Sequence, residues 1–190
     1  MGWRGSRQRN AGQPASATPL APFDPESRER LEWRQPEKWK PRWELLRGEQ
    51  VVARLSRGGA FDHNMTLEFA DASWFVRHRW NGNLQAEPLA GAAKPAEHRS
   101  GFFTGRLVRE GQPDLKSRSG GFWNMYWELV TIDEEQPLVR VRARSGFSRT
   151  EGDVEITDAA HRRDDLELML GMNWVIALVA MRQASHAAAS

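Results

Sequence analysis

The stretch LELMLGMNWVIALVAM, Leu166 to Met181, restricts the fold of this chain more than any other feature. From Leu168 to Met181 it carries one strongly polar side chain, Asn173, so at the helical period it has no wet face. Asp164, Asp165 and Glu167 lead into it and Arg182 closes it, the charge order that a helix macrodipole favours, which predicts a helix over 164–183. A helix that is apolar all round either spans a membrane or is surrounded by protein. The sixteen residues of the run rise roughly 24 Å, short of a hydrocarbon core of roughly 30 Å, which favours enclosure. A single sheet covers one side of a helix, so full enclosure calls for a closed barrel wrapped around it.

The remainder of the chain supplies the staves. Between Trp43 and Thr157 short alternating runs are separated by turn residues, the period-two signature of half-buried strands. The runs are WELLR, QVVARLS, MTLEFA, SWFVRHRW, LQAEPLA, GFFTGRLVR, FWNMYWELVTI, PLVRVRAR and DVEIT. The expected fold is mainly β: a closed antiparallel barrel of about 10–12 strands around a buried C-terminal hydrophobic helix. In SWFVRHRW, Trp74, Val76, His78 and Trp80 are expected inside, with Phe75, Arg77 and Arg79 outside. In PLVRVRAR, Val139, Val141 and Ala143 take the inner face and Arg140, Arg142 and Arg144 the outer one. WELLRGEQVVARLSR from Trp43 and WELVTIDEEQPLVRVRA from Trp127 share Trp-Glu-Leu and Glu-Gln, aligning Ala53 with Val139 and Arg54 with Arg140. That repeat suggests two related halves.

Residues 1–30 hold Pro14, Pro19, Pro22 and Pro25 with no apolar period, the composition of a disordered tail. The domain is therefore expected over 31–184, with a disordered end at 185–190. Residues 1–42 carry nine Lys or Arg against five Asp or Glu, leaving eighteen against twenty in the body, so the basic balance belongs to the tail. A nucleic-acid-binding body is accordingly disfavoured. There is no cysteine, which removes disulfides, thiolate metal sites and Cys nucleophiles. Arg4, Arg7 and Arg9 are followed by no apolar run, so a cytoplasmic protein is expected. MGWRGS fits a loosely specified myristoylation pattern, which bulky Trp3 and a Lys-poor, bacterial-looking composition disfavour.

A strand-rich body opening on a Trp-Glu-Leu hairpin, repeated once at Trp127 and closed by a hydrophobic helix, resembles the tubby-like superfamily, with its LURP-one-related proteins and phospholipid scramblases. The resemblance covers roughly Leu31 to Gln183 and implies a twelve-stranded barrel of two similar halves around the last helix. It further implies an association with phosphoinositides or lipids, with no site residue carried over, because no tubby phosphoinositide motif matches here.

Chemistry is sparse in the sequence. His63, His78, His98, His161 and His186 form no metal-binding spacing, and DHNMTLE from Asp62 lacks the third ligand and turn glycine of a calcium loop. No nucleophile turn or phosphate-binding glycine loop is present, so neither catalytic residues nor a cofactor is expected. Trp33, Trp39 and Trp43 serve either to close one end of the barrel or to stack on a ligand. Arg140, Arg142 and Arg144 are either a strand face paired with neighbouring acids or a site for phosphate or phospholipid headgroups. The leading expectation is a non-enzymatic binding or scaffold module, cytoplasmic or peripheral to the membrane, for anionic lipid or a protein partner. Its alternatives are a carrier of a small apolar ligand inside the barrel and a tail-anchored membrane protein.

Overall fold

The computed structural model describes residues 19–58, 63–91, 93–101, 104–120, 125–146 and 149–187. The myristoylation pattern, Arg4, Arg7, Arg9, Asp62, and the leading aromatic residues of two expected strands, Phe102, Phe103, Phe122 and Trp123, lie outside them. Twelve strands form one closed antiparallel barrel in which each strand pairs with the next and the twelfth pairs with the first. They are β1 (Leu31–Arg34), β2 (Arg42–Arg47), β3 (Gln50–Arg57), β4 (Met65–Phe69), β5 (Ala72–His78) and β6 (Leu84–Gly91). The circuit continues with β7 (Ala96–Ser100), β8 (Thr104–Arg109), β9 (Gln112–Gly120), β10 (Tyr126–Thr131), β11 (Pro137–Ser145) and β12 (Thr150–Ile156). A short α1 (Asp158–His161) leads to α2 (Leu166–Ala187).

The expected barrel around a central helix is the observed one. Leu168 to Val179 are buried without interruption, and strands meet α2 on every side. Trp33 on β1 stacks on Trp174 at 5.7 Å with the rings 4° from parallel, and Asn173 Nδ2 donates to the carbonyls of Trp127 and Val139 at 3.2 and 3.4 Å. Two glycines mark the closest approaches. A Cβ on Gly152 of β12 would fall 2.6 Å from the Trp174 ring, and one on Gly171 would fall inside the Leu67 side chain of β4. α2 has 22 residues, hence a length of roughly 33 Å. That corrects the length argument, because such a helix could reach across a bilayer; its burial inside the barrel, not its length, is what places it.

β1, β7 and β9 are strands that alternation alone does not reveal. β7 reads AEHRS and turns only Ala96 and His98 inward, while β9 turns Leu115 and Ser117 inward, so their apolar periods are faint. Trp80 is a correction. β5 ends at His78, a turn begins at Arg79 with Arg79 N donating to Asn83 O at 2.8 Å, and Trp80 stands 97% exposed instead of inside.

The repeat holds down to its irregularities. Trp43 pairs with Leu55, Glu44 with Arg54 and Leu45 with Ala53 before a bulge at Leu45/Leu46; Trp127 pairs with Val141, Glu128 with Arg140 and Leu129 with Val139 before a bulge at Leu129/Val130. Yet β10 follows β2 at an offset of eight strands, where two equal halves of a twelve-stranded barrel require an offset of six. The tail boundary also moves. Ala21 N donates to Val51 O, Phe23 packs edge-on against Phe69, and Arg28 pairs with Asp158, so residues 19–30 lie against the barrel instead of forming a loose tail. At the other end α2 continues to Ala187, past the expected 183.

Candidate functional site

A meander places alternate connections at opposite mouths of the barrel. At the mouth where α2 enters, connections 48–49, 70–71, 110–111 and 132–136 carry Glu49, Asp71, Glu110, Asp133, Glu134 and Glu135 and no base. Asp158, Asp164 and Asp165 join them, against Lys94, Arg162 and Arg163 on neighbouring connections. At the mouth where α2 leaves, the described connecting residues include Lys38, Lys40, Arg79 and Arg149, with Glu37 as the one acid among them. Arg57 at the end of β3 and Arg182 near the end of α2 add to this side. Among the described residues the two ends of the barrel are thus charged oppositely, roughly 33 Å apart along α2, several times the screening length of about 8 Å at physiological salt.

A cleft of about 330 Å³ opens at the exit mouth. Arg57, Arg149 and Arg182 line it with Trp39, Trp43 and Gln35, and among the described residues no carboxylate does. Gln35 fixes its walls: its Nε2 donates to Lys40 O at 2.6 Å, and its Oε1 accepts from Thr150 N at 3.1 Å, tying the β1–β2 connection to β12. Trp39 holds a φ of +64°, a conformation that costs a bulky residue energy, and leaves its ring 70% exposed. Trp43 is buried, and its indole N–H has no acceptor among the described residues. Burial, with Arg57 as a like charge, holds Arg182 below the usual guanidinium range. Among the described residues neither Arg149 nor Arg182 forms an ion pair.

The arginines that alternation singles out lie elsewhere and are engaged. Arg140, Arg142 and Arg144 do occupy the outer face of β11. Arg140 bonds Glu128 at 2.8 Å and reaches Glu155, Arg142 pairs with Glu155 at 3.1 Å, and Arg144 with Asp153 at 3.2 Å. Glu128 is only 1% exposed and also takes Arg118 at 2.6 Å, while Arg140 lies over the Tyr126 ring at 4.9 Å. The register sets this belt, since Glu128 faces Arg140 and Arg118, and Glu155 faces Arg140. The paired-face reading of these residues therefore describes what they contact. Arg57, Arg149 and Arg182 escape sequence reasoning because they are far apart in the chain and Arg182 reads as a helix-dipole partner. The signal that marks this mouth is a recurring Arg-Ser-Gly at the ends of β7, β9 and β11: Arg99–Gly101, Arg118–Gly120 and Arg144–Gly146.

A second polar spot lies beside α2. His98 Nε2 and Ser117 Oγ are 2.7 Å apart at a cleft of about 150 Å³ that Trp127 and Ile176 also line. Gly105 makes room, since a Cβ there would strike the imidazole. A serine beside a histidine is the start of a nucleophilic pair, but His98 Nδ1 has no partner among the described residues, where a base needs an orienting group. Burial lowers the His98 pKa to about 4. The unfolded chain takes up a proton near pH 6.5, the folded one near 4, so stability is full above 6.5 and falls as pH drops between these values. The loss should reach about 3 kcal/mol by pH 4. Urea unfolding from pH 7.5 to 4 checks it: His98→Gln should flatten this part of the profile. Among the described residues no cluster of three or more His, Asp or Glu could hold a metal ion. Comparison with protein families, with curated proteins and with solved structures finds no match to this chain.

Proposed function

We propose that the protein is a non-catalytic binding module of tubby-like type whose ligand is a phosphate-bearing anion held in the exit-mouth cleft. The observation that carries this reading is the lining: Arg149 and Arg182 line a cleft that has no carboxylate among the described residues, and neither pairs with an acid among them. Guanidinium forks suit phosphate oxygens, and the buried Trp43 N–H, which has no acceptor among the described residues, is a further donor. A helix C-terminus alone disfavours an anion, so Arg182 there first offsets the helix dipole, and Arg149 supplies the excess. The helix-filled barrel supports the tubby-like part of the proposal and gives the apolar-carrier alternative little room, since Trp33, Trp174 and the α2 side chains occupy the interior. Burial of α2 likewise weighs against a tail anchor.

Inorganic phosphate is the simplest probe. Titration followed by tryptophan fluorescence, with Trp39 and Trp43 as reporters, should show saturable binding that chloride does not reproduce. Arg149→Gln with Arg182→Gln should weaken it roughly tenfold or more, each lost charge-assisted bond contributing. An unchanged affinity in the double variant would remove the site.

A further inference from the structure

The entry mouth has a cleft of its own, about 300 Å³, where α2 begins. Ala72, Trp74 and Leu168, all buried, line it together with Asp71, Glu110, Asp164 and Glu167. Among the described residues none of these four carboxylates forms an ion pair. Burial, and then Asp71, hold Glu167 above the usual carboxylate range. Arg109 and Asp165 also line the cleft and answer each other, so among the described residues Lys94 is the one base set against the four acids. Acids gathered at a mouth are not in themselves a site, but Arg109 adds a second requirement. It is 4% exposed, and its Nε is buried with no acceptor among the described residues. A small amine would answer the acids and leave this N–H bare, whereas a basic peptide brings both cations and carbonyl oxygens.

The chain itself carries such a peptide. Residues 1–18 contain Arg4, Arg7 and Arg9 and no acid, and they join the described structure at Pro19. From there the chain meets the barrel beside the cleft. Ala21 N donates to Val51 O at 2.8 Å, and Val51 lies level with Asp71, because Ala53 faces Phe69 in the register and both strands run two residues further to this mouth. Phe23 packs edge-on against Phe69 at 5.7 Å, and Phe69 in turn against Trp74 of the cleft at 6.3 Å. Ten residues lead back from Pro19 to Arg9, a span of up to roughly 33 Å, well beyond those two ring contacts. We propose that residues 1–18 dock in cis in the entry-mouth cleft, with Arg4, Arg7 and Arg9 against its unpaired carboxylates and a main-chain carbonyl on Arg109 Nε. Exposed ion pairs are individually weak, but a short tether presents the segment at an effective concentration in the millimolar range, which makes weak pairs sufficient. A basic peptide from another protein would have to displace this segment first. The proposal is independent of the anion site at the exit mouth.

The absence of cysteine makes a cross-linking test clean. In the full chain carrying Gln8→Cys and Lys94→Cys, oxidised glutathione should close an intramolecular disulfide roughly tenfold faster than in Gln8→Cys with Asn81→Cys, whose second site is at the exit mouth. High salt should remove most of that advantage. Adding Arg4→Glu, Arg7→Glu and Arg9→Glu to the Gln8→Cys, Lys94→Cys chain should slow closure roughly tenfold. Adding Asp71→Lys, Glu110→Lys and Asp164→Lys to that reversed chain should restore it, a recovery that a general disturbance of the mouth does not give. These three acids are exposed, so the thermal unfolding midpoint should hold in every variant and shows that each is folded. Equal rates at Lys94 and Asn81, or a reversed chain that does not recover, would overturn the docking. Disulfide-linked dimers that increase with protein concentration would overturn docking in cis and make a second copy of the chain the occupant.

Discussion

Trp174→Ala is expected to lower the free energy of unfolding by about 3–5 kcal/mol, the range for deleting a buried tryptophan from a core that relaxes only in part. Trp174 has no exposure, and neither has Trp33, which stacks on it. The neighbouring strand is already as close as it can come, since Gly152 gives up its side chain to let the ring pass. Collapse into the vacated space would have to bend β12 out of register with both β1 and β11, so most of the cavity should persist. Urea unfolding checks the value, read as a fall in midpoint at unchanged slope. Trp33→Ala should cost a similar amount, and the double variant less than the sum by about 0.5–1.5 kcal/mol, the coupling of the stacked pair. A loss below about 1 kcal/mol would mean that α2 is not seated in the barrel as described. The seat matters for the exit mouth, because Arg182 follows Trp174 by about two turns on the same rigid helix, and a helix free to slide would carry Arg182 away from Arg149.

The enclosure of α2 is legible in the sequence because a helix apolar on every face must be kept from water, and the alternating strands around it supply the cover. Strand faces are legible wherever burial enforces alternation, as in Val139, Val141 and the arginines between them. They fail where the inner face is not apolar, which is why His98 and Ser117 conceal β7 and β9. Trp80 fails for a different reason: periodicity states which face a residue takes while the strand lasts, not where the strand stops. The outer arginines illustrate the limit for sites. Three guanidiniums in a row look available in one dimension, and only the register of β10 and β12 brings Glu128, Glu155 and Asp153 opposite them. Conversely Arg57, Arg149 and Arg182 converge only because β3, β12 and the end of α2 meet at one mouth, a long-range result of closing the barrel.

Asp165→Asn should cost more than removal of the arginine it binds. Asp165, the residue just ahead of α2, holds both Arg109 and Arg163, and its own carbonyl accepts Met169 N at 3.0 Å to start the helix. The Arg109 side chain is 1% exposed and donates also to Pro113 O, and burial holds it below its usual range against the pull of Asp165. Neutralising Asp165 therefore strands a buried guanidinium, with a second one nearby, and the expected loss is about 4 kcal/mol. Arg109→Met leaves Asp165 its bond to Arg163 and replaces the stem with one of similar volume, so the loss should be about 2 kcal/mol. The decisive variant combines the two. Arg109→Met in the Asp165→Asn background removes the orphaned charge, so the double variant should be more stable than Asp165→Asn alone, a non-additivity that simple loss of contacts does not produce. Urea unfolding of the three variants reads it directly. Equal costs that add would show that the pair is solvated in the folded state, and that the start of α2 is anchored by packing of Leu166 and Leu168 without help from charge.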